Sequence, residues 1–255
     1  MRSLRLVARL DIKGPNLIKG VNLEGLKIIG EPNKYALKYY EKGIDELIFM
    51  DVVASLYGRN QLGDIIKKAT KNIFIPITVG GGIRSVNDAN EVLRFGADKI
   101  AINSAAIKNP NLIKELANKF GSQSVVLSVE AKKIRNDFWE VYSNNGRERS
   151  GLSVTDWIKK GVENGAGEIL LTSVDNEGTG KGYDINLAKV ALKVTQVPII
   201  LSGGMGKINH MIDIVIKTGI EALAIADVFH TNKISVDKVR KSAISYNLKV
   251  RKFNE

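Results

Sequence analysis

The chain contains no cysteine, which excludes disulfides, thiolate catalysis and cysteine-ligated metal. That absence suits a reducing compartment, and a cytoplasmic protein is expected. Histidine is almost as scarce: His210 and His230 lie far apart with no ligand spacing, so both read as structural and no metal is expected. No uninterrupted apolar run approaches the roughly 18 residues that span a bilayer. The first residues, Met1 to Arg9, carry no apolar leader core, and no membrane association is expected. Aromatics make up only 6% and do not interleave with basic residues as stacking platforms for nucleic acid would.

What the chain does have is charge and apolar content in ordinary globular proportion. Of its 255 residues 44% are hydrophobic and 25% charged, with a net charge of +11. The lysines are spread along helical stretches, as in Lys67-Lys68-Lys71 and Lys189-Lys193. They read as a solvated surface, and no nucleic-acid partner is expected. The excess also favours an anionic, for example phosphorylated, small-molecule substrate.

Short β-type runs alternate with helical stretches throughout. The runs are Leu6–Ile12, Glu46–Val53, Ile75–Val79, Lys99–Asn103, Val125–Glu130, Glu168–Ser173, Ile199–Ser202 and Ala222–Ala226. Between them fall Pro32–Lys42, Val86–Phe95, Pro110–Phe120, Val154–Asn164, Ile185–Thr195 and Ile208–Thr218. Strands joined by helical crossovers form a parallel sheet, and eight such units favour closure. The expected fold is α/β, a (β/α)8 TIM barrel over residues 1–255 as one domain. Gly43, Gly96, Gly121, Gly165 and Gly219 follow the helical patterns, where a left-handed residue ends a helix. Three connections are long: Lys13–Glu31, Ala131–Gly151 with a short hairpin at Phe138–Tyr142, and Asp175–Asp184. All follow strands and so belong to the catalytic rim.

The chain repeats itself. Leu10-Asp11-Ile12-Lys13 matches Val129-Glu130-Ala131-Lys132, an offset of 119 residues from Asp11 to Glu130. Ile75-Pro76-Ile77 through Gly80-Gly81-Gly82 matches Val197-Pro198-Ile199 through Ser202-Gly203-Gly204 at 122, and Asn103-Ser104 matches Ala226-Asp227 at 123. Two similar half-barrels are implied.

Asp11 and Glu130 therefore end opposite strands and face one mouth, where they can act as general acid and base with split pKa values. Alternatively each is a solvated strand end held by Lys13 or Lys132. Gly80-Gly81-Gly82 and Ser202-Gly203-Gly204 offer backbone N–H groups for anions, or are bare tight turns. Asn103-Ser104 can complete the first cradle. Asp227 stands at the matching position of the second, where it either repels phosphate or turns away to cap its helix. Strand alternation puts Arg9 inside the barrel with Asp11, and its expected partners, Asp11 or Glu130, would have lowered pKa values. At the opposite end Arg5, Glu46, Lys99 and Glu168 begin strands, either as ordinary polar starts or as a charged ring.

These stretches, with Lys19-Gly20-Val21-Asn22, Asp51-Val52-Val53-Ala54, Thr78 through Arg84, Trp139-Glu140-Val141-Tyr142 and Gly165 through Ser173, resemble the cyclase subunit of imidazole glycerol phosphate synthase. The resemblance implies a (β/α)8 barrel paired with a glutaminase. Ammonia released at the barrel base crosses the interior and attacks a doubly phosphorylated ribonucleotide at the top. It implies no cofactor. By it Asp11 and Glu130 are the catalytic pair. Substrate and phosphate contacts are expected from Lys19, Asp51, Gly81, Gly82, Asn103, Ser104, Thr172, Glu177, Gly178, Ser202, Gly203 and Gly204. Arg5, Glu46, Lys99 and Glu168 become the ammonia gate, and Asp98 a contact to the glutaminase.

The departures gather at the top: Glu130 for Asp, Arg9 for a strand-one Cys, Asp175-Asn176-Glu177-Gly178-Thr179 for an Asp-x-Asp-Gly-Thr loop, and Asp227 for Ser. They resemble the family's paralogues of surface-polysaccharide synthesis, which supply ammonia for amidino sugars. That reading is the first expectation. A genuine histidine-pathway cyclase is the alternative, and a non-catalytic activator of the glutaminase the third.

Overall fold

The computed structural model describes residues 3–54 and 62–253. In chain order, β1 (Arg5–Lys13), β2 (Asn16–Val21) and β3 (Glu24–Gly30) precede α1 (Pro32–Glu41) and β4 (Glu46–Asp51). Then come α2 (Gly63–Ala69), β5 (Ile77–Gly80), α3 (Val86–Arg94), β6 (Lys99–Ile102), α4 (Ser104–Lys108), α5 (Asn111–Phe120) and β7 (Val125–Arg135). The second half holds β8 (Phe138–Ser143), β9 (Glu148–Ser153), α6 (Val154–Glu163), β10 (Glu168–Ser173) and α7 (Ile185–Leu192). It ends with β11 (Ile199–Ser202), α8 (Ile208–Thr218), β12 (Ala222–Ile225), α9 (Asp227–His230) and α10 (Val236–Ser245).

Strands β1, β4, β5, β6, β7, β10, β11 and β12 pair in parallel in that order, and β12 returns to β1 through Arg5↔Ala222 to Ala8↔Ile225. The sheet is closed, a (β/α)8 barrel of two similar halves. Period-two alternation decides which side chains go where. On β1, Leu6, Ala8, Leu10 and Ile12 join the large cluster between barrel and helices. The other face of the strands supplies a separate interior cluster that includes Val7, Ile48, Ala101, Val126, Leu170, Ile200, Ala222 and Ala224. Leu10 is fully buried, and Leu10→Ala there is worth about 2–5 kcal/mol.

Local chemistry sets the element ends. β5 and β11 each begin just after a proline, Pro76 and Pro198, which lacks the N–H a ladder needs. Ser85 and Asp88 form a reciprocal capping box at α3, and the Ser153 hydroxyl and Asp184 carboxylate accept backbone N–H bonds to cap α6 and α7. Gly219 is left-handed, and its N–H closes α8 on the Val215 carbonyl at 2.8 Å.

The long connections are more ordered than expected. Lys13–Glu31 is mostly the hairpin β2–β3, and β2 extends the β1 edge antiparallel through Asp11↔Ile18. The second is a meander of β7, β8 and β9. Among the described residues no helix is long and apolar enough to cross a membrane.

Candidate active site at the barrel mouth

The inward row of β1 carries Arg5, Val7, Arg9 and Asp11. Arg9 is 2% exposed, so its charge needs compensation within the protein. Its Nε donates to Asp11 Oδ1 at 2.9 Å, and Nη1 donates to Thr172 Oγ1 at 2.9 Å and Ser202 Oγ at 3.3 Å. The guanidinium thus crosses the interior from β1 to β10 and β11. Burial alone would raise the Asp11 carboxyl, but Arg9 and then Lys19 outweigh it and hold Asp11 below the usual carboxylate range.

Glu130 behaves oppositely. Burial pushes it up to about 7, and the Gly146 N–H at 2.7 Å, with the more distant Arg9, offsets only part. The expected lowering by Arg9 therefore prevails at Asp11, while at Glu130 it is present but outweighed by burial. Arg9 has committed its bonds elsewhere, while Glu130 is held by a neutral backbone donor. Neither carboxylate is a solvated strand end: Asp11 is 4% exposed and Glu130 lies in the wall of a cleft.

That cleft, about 70 Å³, opens between the ends of β4, β5, β6 and β7. Asp51 shapes one wall, its Oδ1 accepting from the N–H of Val53 at 3.0 Å and Ala54 at 2.9 Å. Gly81 and Gly82 form the adjoining turn. A Cβ on Gly81 would stand 2.2 Å from the Asp51 carbonyl oxygen, so only glycine fits. Asn103 donates to the Tyr142 carbonyl at 3.2 Å, and its buried Oδ1 finds no partner among the described residues. The Ser104 hydroxyl accepts from the Asn144 N–H at 3.0 Å.

The matching cleft of the second half is lined by Glu177, Gly178, Ser202, Gly203, Gly204 and Asp227. It measures about 10 Å³. The two halves share backbone geometry: Asn103 before α4 has φ −130°, ψ −87°, and Ala226 before α9 has φ −130°, ψ −77°. Asp227 thus begins α9 as Ser104 begins α4, and its carboxylate pairs with Lys233 at 3.2 Å.

Over the mouth, β2 brings Lys19, which is buried, ion-paired to Glu177 and 3.9 Å from Asp11. The hairpin is tied down by Asn22, whose side chain donates to the Val174 and Asp175 carbonyls at 2.9 and 2.8 Å. Sequence reasoning missed several residues of the first cleft, Arg84, Ser128 and Asn145 among its polar ones. Arg84, which donates to the Ala54 carbonyl at 2.6 Å, sat in plain view after the glycine run. Asn145, in the β8–β9 turn, reaches the cleft by folding and carries no local signature.

At the opposite end of the barrel the four expected charges do meet. Arg5 Nη1 and Nη2 lie 2.6 Å from Glu46 and 2.6 Å from Glu168, while Lys99 Nζ lies 3.3 Å from Glu46 and 2.8 Å from Glu168. Cation and carboxylate alternate around a closed ring. Asp98 is exposed nearby, its carboxylate accepting from the Ile77 N–H at 2.8 Å. The histidines lie outside the first cleft: His230 Nδ1 is 2.6 Å from the Tyr39 hydroxyl, and His210 Nδ1 accepts from the Gly206 N–H at 3.1 Å.

The barrel that carries these two ends has clear relatives in sequence. Residues 5–235 fit the family described as histidine biosynthesis protein. The chain belongs to it. A Legionella pneumophila protein named imidazole glycerol phosphate synthase subunit HisF is 62% identical over 210 residues, 82% of this chain and 99% of its own. Proteins of the same name from Streptococcus mutans serotype c and Bacillus cereus strain AH187 are each 43% identical over 251 residues, 98% of this chain and all of theirs. Family membership and barrel agree, and they direct attention to the two ends of the barrel axis.

Proposed function

We propose that this chain is the ammonia-using cyclase subunit of an imidazole-glycerol-phosphate-synthase-type amidotransferase. A glutaminase would dock at the base, near Asp98, and release ammonia at the ring of Arg5, Glu46, Lys99 and Glu168. A phosphorylated substrate would sit at the mouth. The closed ring carries the reading, because a purely structural plug at the barrel axis could be built from apolar side chains without the desolvation cost of four paired charges.

At the mouth the two carboxylates divide the proton work. Asp11, held ionised by Arg9 and Lys19, serves as base. Glu130, whose burial raises it to about 7, keeps its proton well above the usual carboxylate range and serves as acid. The first cleft takes a phosphate through its glycine backbone, Ser104 and Arg84. Lys19 stands over Asp11 and covers the reacting centre. No step requires a cofactor.

The names of the relatives favour the histidine-pathway acceptor, and so the alternative expectation over the surface-polysaccharide one. One observation favours the latter: the second cleft is small and presents Asp227 where the first presents Ser104. The deciding assay pairs the barrel with its glutaminase, supplies glutamine and the doubly phosphorylated ribonucleotide, and follows imidazole formation. Rescue of a cyclase-deficient histidine auxotroph supports the histidine acceptor. Glutamine hydrolysis without turnover of that ribonucleotide points to a different acceptor, and loss of product formation in Asp11→Asn with glutaminase activity intact would rule out the non-catalytic activator role.

A further inference from the structure

The barrel interior is not symmetric about its axis. Ala101 on β6 and Ala224 on β12 occupy matching positions of the two halves, and both belong to the interior cluster. Each also lines the cleft of its own half. On the β6 side, Ala101 lies two residues above Lys99 of the ring, roughly 7 Å along the strand. There the cleft of about 70 Å³ descends past Glu130 to Ser128 and Ala101, directly onto the interior cluster. On the β12 side the cleft holds about 10 Å³, the space of about one water. Below it Arg9 runs from β1 to Thr172 and Ser202 and takes up both hydroxyls.

From this arrangement we infer that Arg9 seals the second half of the barrel, so that ammonia entering through the ring leaves off-axis, past Ala101 and Ser128, into the first cleft. The inference rests on the ammonia-using reading above and adds the route. Ammonia is thereby delivered to one half of the mouth. Ammonia emerges beneath Glu130, and Arg9 stays fixed on Asp11 as a sealing residue.

The test compares glutamine-driven with ammonium-chloride-driven turnover in the complex with the glutaminase, using the doubly phosphorylated ribonucleotide. Ammonium supplied from solution reaches the mouth without crossing the barrel, so the ratio of the two rates isolates transit. Ala101→Leu is expected to lower that ratio at least tenfold, whereas Ala224→Leu leaves it within twofold. Arg9→Lys in the Ala101→Leu background keeps a cation beside Asp11 but gives up the reach to Thr172 and Ser202, and is expected to restore the ratio by opening the second half. Ala101→Val and Ala224→Val serve if either leucine variant fails to fold. A ratio lowered by Ala224→Leu and not by Ala101→Leu, or a double variant with no recovery, overturns the route. Wild-type complex inert with both nitrogen sources overturns the functional reading and the route with it, a result distinct from a misplaced ratio.

Discussion

Arg9 and Asp11 form a buried ion pair at 2.9 Å, with side chains 3% and 6% exposed. Removing one partner of such a pair strands the other. Asp11→Asn is therefore expected to cost about 3–5 kcal/mol in denaturant unfolding, more than loss of one hydrogen bond. Arg9→Met with Asp11→Asn should recover much of that loss, because no charge is then left uncompensated. The carboxyl is depressed in the native state, so its contribution is complete above the ordinary carboxylate value and disappears as pH falls through the lower native one. A double variant no more stable than Asp11→Asn would show that Arg9 is compensated by other groups.

Glu130 and His230 titrate against each other. Glu130 rises from 4.5 to about 7, so between those values the native state holds a proton the unfolded chain has lost, and stability falls as pH rises. Burial drops His230 from 6.5 to about 4, so there the unfolded chain holds the extra proton and stability rises with pH. Each contributes about 3 kcal/mol over its full window, with opposite sign. The wild-type profile should be nearly flat from about pH 5 to 6.5. Glu130→Gln should expose a rise of about 2 kcal/mol over that interval, measured by urea midpoints at constant ionic strength. A Glu130→Gln profile as flat as wild type would refute the raised carboxyl.

The eight strands, their order and the repeat were legible because alternation, proline-marked starts and glycine helix ends are local. The charged ring was legible as a possibility, since strand-start residues converge whenever a sheet closes. Arg9 was placed inside correctly by parity alone. Its choice among Asp11, Glu130 and the two hydroxyls was not legible, because Thr172 and Ser202 lie 163 and 193 residues away. The Lys13–Glu31 hairpin was missed since its strands are short and β3 is largely exposed. The unlike pKa values at Asp11 and Glu130 follow from burial and from where Arg9 points, neither of which a motif records.

The ring should behave as one unit. Glu46 and Glu168 each bridge Arg5 and Lys99, so either carboxylate alone still holds both cations. Glu46→Gln and Glu168→Gln are each expected to cost about 1 kcal/mol, because the cations are partly solvated. The double variant should cost more than their sum by about 1 kcal/mol, the cations then facing each other unscreened. Strict additivity in the double-mutant cycle would mean four independent pairs. In the complex, each single variant should also lower product formed per glutamine hydrolysed, since an incomplete ring lets ammonia escape at the base.

Gly81 offers the sharpest separation of binding from folding at the mouth. Its φ is +93°, and a Cβ there would meet the Asp51 carbonyl oxygen at 2.2 Å and its carbon at 2.9 Å, backbone atoms that cannot rotate away. Gly25 also has positive φ, +60°, but a Cβ there meets nothing within 4 Å. Gly25→Ala should therefore carry backbone strain alone, about 1 kcal/mol. Gly81→Ala adds displacement of the β4 end, where Asp51 organises the wall of the first cleft. Its expected mark is a rise in KM for the phosphorylated substrate of about tenfold, the loss of one well-placed contact, alongside a stability cost larger than that of Gly25→Ala. If both variants lose stability equally and Gly81→Ala keeps its KM, the first cleft does not hold the phosphate.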